Sequence, residues 1–169
     1  MNYCLTYRAA GFTINSDVQC LAGNNFIFTN NAYLDTTASS VVITYALTTD
    51  ATATVMTSNR SSASTTNQVI LPNNSAYLFK ATVISGVTGG GNTSAWKLEG
   101  AIKRGANAAS TAIVGSVTTT LLAQDAGAST WAVTATADTT NGGLKITFTG
   151  QAGTTIRTVC KVETTEMTY

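Results

Sequence analysis

The chain has no histidine, a single proline (Pro72) and only 10% charged residues in 169 positions. Histidine is the commonest carrier of a proton near neutral pH and the commonest metal ligand, so its absence argues against most acid–base and metal chemistry. The three cysteines, Cys4, Cys20 and Cys160, are an odd number with no CxxC spacing, which does not make a closed disulfide framework. A zinc site would need carboxylates or a thiol from another chain. Free thiols in a reducing compartment are therefore expected, with a Cys4–Cys20 bridge as the alternative.

Acidic residues are also scarce. The eight are Asp17, Asp35, Asp50, Glu99, Asp125, Asp138, Glu163 and Glu166. None forms an Asp-x-Asp spacing of the kind calcium takes, so no metal site is expected. No two form a local pair suited to glycan hydrolysis. Glu163 and Glu166 lie three apart, which on a strand puts them on opposite faces. Catalytic residues and cofactors are accordingly expected to be none. The glycines of residues 86–91 lack the Gly-Lys-Ser/Thr ending of a phosphate loop and read as a hairpin loop.

Net charge is +1, too small to draw the chain to nucleic acid or to an anionic membrane. Lys103 and Arg104, the only adjacent basic pair, read as a solvated strand end. No stretch approaches the ~20 apolar residues of a membrane-spanning helix. Met1–Arg8 lacks a basic start followed by an apolar core, so no secretory leader is expected.

What the chain has in abundance is threonine, close to a fifth of its residues, together with serine, alanine and asparagine. A β-branched residue with a hydroxyl suits a pleated surface with one wet face. The apolar residues alternate, and no segment has convincing helical periodicity. Trp131, Val133, Ala135 and Ala137 share one face, with Thr134, Thr136 and Asp138 opposite. Asn141-Gly142 then predicts a two-residue type I′ turn, in which both central residues need positive φ. Leu144, Ile146 and Phe148 point inward on the next strand, and Ile156, Thr158, Cys160 and Val162 share a face on a third. Residues 129–166 thus read as a three-strand meander.

Further strands are expected over 25–29, 41–47, 68–71, 76–84, 94–103 and 110–123, with a weaker one over 50–57 and a polar loop over 59–66. Eight to eleven short strands make an all-β sandwich or barrel. Residues 1–40 read as an N-terminal arm or attachment region, and residues 41–169 as the β-sandwich domain. Trp96 and Trp131 are in phase with their strands' apolar faces, so core packing is expected of both.

Several pieces in order carry a resemblance: Leu47-Thr48-Thr49-Asp50-Ala51-Thr52, Asn67 to Tyr77, Ala95-Trp96-Lys97-Leu98-Glu99-Gly100, Ala137 to Ile146, and Thr149-Gly150-Gln151-Ala152-Gly153. Residues 48–166 resemble a β-structured C-terminal domain on the tail fibres of tailed bacteriophages. The resemblance implies a jelly-roll-like antiparallel sandwich, a homotrimer and a place in the virion, assembled in the host cytoplasm. Its partners would be other virion proteins, through the N-terminal region, and a host-surface glycan. Little chain precedes the domain here, so a capsid decoration (cement) protein or tail adaptor is the first alternative. A carbohydrate-active depolymerase fragment is the second. A lectin-like module of a bacterial surface protein is a third. If sugars bind, the loops at residues 59–66, 86–92 and 125–129 are where contacts are expected.

Overall fold

The computed structural model of the chain describes residues 25–29 and 37–169, with side chains from residue 39 onward. Its strands are β1 (Asn25–Thr29), β2 (Thr37–Thr48), β3 (Thr54–Val55), β4 (Val69–Ile70), β5 (Ser75–Val87), β6 (Thr93–Arg104), β7 (Ala112–Gln124), β8 (Ala132–Asp138), β9 (Gly143–Thr149) and β10 (Ile156–Thr168). Two three-residue 3-10 turns, Ala108–Ser110 and Ala126–Ala128, flank β7. The expected all-β character holds, and every strand pairing is antiparallel.

The strands form a large sheet, in the order β1-β2-β10-β5-β6-β7, and a small one. In the small sheet β8 flanks one edge of β9, while β3 and β4 pair with β9 at Phe148–Thr147 and Leu144–Gly143. One apolar core joins the two. Phe79, Leu98, Ile102, Ile156 and Val162 of the large sheet are fully buried, as is Phe148 of the small one. Each such side chain contributes about 1.5–3 kcal/mol by leaving water.

Trp96 and Trp131 lie in this core as expected. Each meets the Phe148 ring edge-on, at centroid distances of 6.2 and 6.1 Å. The geometry suits the ring quadrupoles. Phe79 pairs across the ladder with Gly100, and its ring occupies the space a side chain there would need.

The segment after β3 ties the sheets together along one side. The Met56 amide donates to Ile146 O in the small sheet, while Thr57 exchanges both backbone hydrogen bonds with Tyr45 of β2.

The expected meander over 129–166 is not what forms. β8 and β9 pair, but β10 leaves them and inserts between β2 and β5. Length is the physical reason. β10 has 13 residues, matching the 12 of β2 and the 13 of β5, whereas β9 has 7. Beside β9, nearly half the backbone of β10 would have no ladder partner, and a buried unpaired amide or carbonyl is costly. Between β2 and β5, β10 bonds along both edges from Ile156 to Met167. Its strict alternation then buries Ile156, Thr158, Cys160, Val162 and Thr164.

The Asn141-Gly142 turn also differs from expectation. β8 and β9 are joined by four residues, and only Gly142 has positive φ, at 77°. Asp138, expected on the wet face, is buried and organises the loop instead. Its Oδ1 accepts from the amides of Thr140 and Asn141, both at 3.0 Å, and its Oδ2 from Asn141 Nδ2 at 2.8 Å. This Asx-type capping holds Asn141 out of the left-handed region that a type I′ turn requires.

Arg104 is a further correction. It is not a solvated strand end: its Nη1 donates to Leu71 O at 2.6 Å and lies over Gly142, where a side chain would collide with the guanidinium. Lys103 beside it is exposed. The end of β6 is thereby pinned to the loops that start β5 and β9.

Candidate functional site

The face of the large sheet turned away from the core carries a recess. A cavity of about 330 Å³ opens there, between the ends of β5 and β10 and the loop that follows β5. Its walls are Ile84, Val87 and Val159, its rim holds Thr88 and Thr93, and its cation is Arg157. The register explains why the recess exists. Arg157 is directly opposite Gly86 on β5, which has no side chain to fill the space beside it. A methyl group built on Gly86 would meet only the Thr93 hydroxyl, at 3.7 Å.

The rim is firmly held. Val87 N donates to Asn92 O at 3.1 Å, and Thr88 N donates to Thr155 O at 2.9 Å. Gly89, Gly90 and Gly91 all have φ between 90° and 132°, a run that only glycine adopts without strain. The loop at 125–129 braces this turn from behind. The Thr93 amide donates to Asp125 Oδ2 at 2.8 Å, and Asn92 packs against Gly127. Two of the three expected loops are thus brought together.

The third loop, residues 59–66, is built separately around Asn67. The Asn67 side chain bonds Asn59, Ser62 and Ser64 at 2.8–3.0 Å. Arg60, with φ of 61°, sets its guanidinium 5.6 Å from the centre of the Tyr45 ring.

Chemically, the recess offers hydroxyl groups, an apolar wall and one guanidinium. Ile84 and Val159 are 57% and 40% exposed. Among the described residues Arg157 makes no ion pair. A guanidinium next to apolar surface suits a polar ligand that carries an acidic group and has one less polar face. Neither tryptophan reaches this surface, so any sugar here would be held without aromatic stacking.

The described carboxylates are engaged elsewhere. Glu99 pairs with Lys97 at 3.0 Å and Lys80 at 3.9 Å, and Glu163 pairs with Lys161 at 3.0 Å. Asp50 accepts from the Thr52 amide, and Asp125 and Asp138 hold loops. Burial alone would raise the Asp138 pKa. Hydrogen bonds from the Asn141 side chain and from the Asn141 and Thr140 amides outweigh it and keep the carboxyl below its ordinary value. Asp17 and Asp35, like Cys4 and Cys20, are outside the described residues. No group of three metal-ligating side chains occurs among the described residues.

Sequence reasoning missed one polar cluster. Where β10 outruns the small sheet, Glu166 turns inward and accepts from the Ser40 and Thr164 hydroxyls. The Tyr77 phenol lies nearby, and burial first, then the Glu166 charge, push it well above its ordinary pKa. The inward phase of Thr164 and Glu166, continuing that of Ile156 to Val162, was the available signal. Cys160, farther along this face, is a buried free thiol whose pKa burial raises to about 12, against a smaller opposing effect of Thr44.

No protein-family model, curated protein or solved structure matches this chain.

Proposed function

We propose that this chain is a structural component of a bacteriophage virion, a tail-fibre or fibre-like protein that contributes to host attachment. It does no chemistry. In this reading the two sheets form a jelly-roll-like sandwich, three copies assemble, and the N-terminal region joins other virion proteins. The Gly86–Arg157 recess meets a host-surface glycan. Three weak sites on one rigid particle would reach useful avidity without any one binding tightly.

The observation that carries the reading is the outer face of the large sheet. It is broad, built on long ladders, and weakly basic, because Glu99 offsets only part of Lys80 and Lys97, Glu163 offsets Lys161, and Lys103 and Arg157 add to the positive side. It opens into a firmly rimmed recess whose cation, Arg157, makes no ion pair among the described residues. The resemblance of residues 48–166 to tail-fibre domains, read from the sequence, is the second ground for it.

The test is retention of fluorescently labelled chain on a panel of bacterial cells and on an array of bacterial glycans. Arg157→Ala should weaken retention about tenfold or more, the worth of a charged hydrogen bond of ~1.5–3 kcal/mol. Gly86→Val, which fills the recess, should do the same while leaving the circular dichroism spectrum unchanged. Immunogold labelling confined to the capsid would favour a decoration protein instead. Shortening of a polysaccharide by the purified chain would favour a depolymerase.

A further inference from the structure

We propose that the binding site continues from the recess across β10 to Tyr45 and Arg60, and that this track takes a polysaccharide carrying carboxylates on successive units. The inference rests on the glycan reading above and names the class of glycan. The ladders put the parts on one face. Tyr45 of β2 pairs with Val159 of β10, and Val159 pairs with Ile84 of β5, so the three form a row across the outer face. Arg157 stands two residues from Val159 on the same side, between Leu47 of β2 and Gly86 of β5. Leu47, Val159 and Ile84 are exposed, and Tyr45 is half-buried. Arg157 and Tyr45 are diagonal neighbours in the ladder, roughly 7–8 Å apart at their α-carbons.

Arg60 supplies the second cation. Its guanidinium is set 5.6 Å from the centre of the Tyr45 ring, and like Arg157 it makes no ion pair among the described residues. Its φ of 61° is one that residues other than glycine seldom adopt. The loop imposes it: Asn59 Oδ1 accepts from the Ser61 amide and from Asn67 Nδ2, both at 3.0 Å, and the Thr57 hydroxyl donates to Ser61 O at 2.9 Å. A strained conformation persists where its surroundings over-determine it, and such positions cluster at binding sites. Arg60 is therefore held over Tyr45 by a fixed loop.

Charge and shape select the ligand. The carboxylates of this face, Glu99 and Glu163, lie two outward positions beyond the Tyr45–Val159–Ile84 row and are paired with lysines. Both arginines are thus available to an outside acid, and the planar guanidinium matches a carboxylate with two parallel hydrogen bonds. They stand on separate elements with the aliphatic Leu47 and Val159 near them, which suits acidic groups on successive units of a chain whose rings rest their less polar faces on the sheet. A nucleic-acid strand fits less well. Arg60 already stacks on the Tyr45 ring and the remaining walls are aliphatic, so successive bases would find no series of rings to stack on.

The experiment is calorimetric titration of the full chain with uronate hexamers (galacturonate, mannuronate and guluronate), a neutral dextran oligomer and oligothymidylate of similar length. At least one uronate hexamer should bind, severalfold more weakly at high salt, and the dextran should not. Arg157→Ala and Arg60→Gly should each weaken that binding about tenfold, and the pair together about a hundredfold. Glycine accepts the φ of Arg60, so the circular dichroism spectrum should be unchanged. Binding that Arg157→Ala weakens and Arg60→Gly leaves intact overturns the track and leaves the recess reading standing. Uronate hexamers that bind no better than dextran overturn the acidic class. Tighter binding of oligothymidylate than of any hexamer overturns the polysaccharide. Retention on bacterial cells that neither substitution alters overturns the glycan reading itself.

Discussion

β10 and β7 are both 13 residues long, in the same sheet, and rich in threonine and β-branched residues. One alternates buried and exposed along most of its length; the other has no buried residue at all. The difference is position. β10 has a ladder partner on each edge, whereas β7 pairs with β6 alone and touches the small sheet chiefly through β8. Strand propensity is the same in both, so what a residue contributes is set by what covers it. In β10 the inward apolar side chains are part of the core, whereas in β7 only Ile113 and Val117 pack against it, and both do so partially.

The largest expected effect breaks the comparison directly. Ile156→Ala, at a fully buried position, should destabilise the fold by about 2–5 kcal/mol, the usual cost of emptying such a site. Ser116→Ala, exposed on β7, should change stability by less than ~0.5 kcal/mol. Urea unfolding of both variants, followed by circular dichroism, checks this. Equal losses would mean that β7 is held as firmly as β10.

A second contrast concerns charge rather than apolar area. Asp138 is buried with three hydrogen bonds; Glu99 is in half-exposed ion pairs on β6. Removing Asp138 by alanine should cost about 1.5–3 kcal/mol, because two loop amides lose an ionised acceptor. Glu99→Ala should cost about 0–1 kcal/mol. The sign with pH follows from the lowered Asp138 pKa. Its contribution is complete above the ordinary aspartate pKa and is lost as pH falls through the folded value. Thermal melts between pH 6 and pH 2 should therefore converge for the native chain and Asp138→Ala, and persistent separation at the lowest pH would contradict the assignment.

The same distinction marks what could be read in the sequence. Alternation located the strands, the core tryptophans and the inward faces of β8, β9 and β10, because period two is a property of the strand itself. The partner of each strand is not. The short link at Gly150–Gly153 suggested that β10 would turn back beside β9, and only comparing strand lengths points to β2 and β5. Arg104 and Asp138 were misread because both sit where two loops cross, and such crossings have no local period. The recess was half legible: its loop was identified from the glycines, but Arg157 enters through the β10 register with Gly86. The bareness of β7 was hidden because its apolar residues look like those of any covered strand.

The smallest expected effect sits where β10 runs past the small sheet and its inner face changes from Val162 to Thr164 and Glu166. Tyr77→Phe removes the buried phenol beside Glu166 and should cost no more than about 0.5–1.5 kcal/mol at neutral pH. Its alkaline behaviour is more diagnostic. A phenol whose pKa is raised on folding contributes fully below pH 10 and loses that contribution as pH climbs further. The Cys160 thiol behaves alike, its contribution fading from about pH 9 towards about pH 12. Tyr77→Phe should thus flatten the loss of stability above pH 10 while leaving the thiol's part, and Tyr77→Phe/Cys160→Ser should flatten both. If the single variant lost stability with alkali as steeply as the native chain, the inner face of β10 would end at Val162, and the strand would be exposed at this end as β7 is over most of its length.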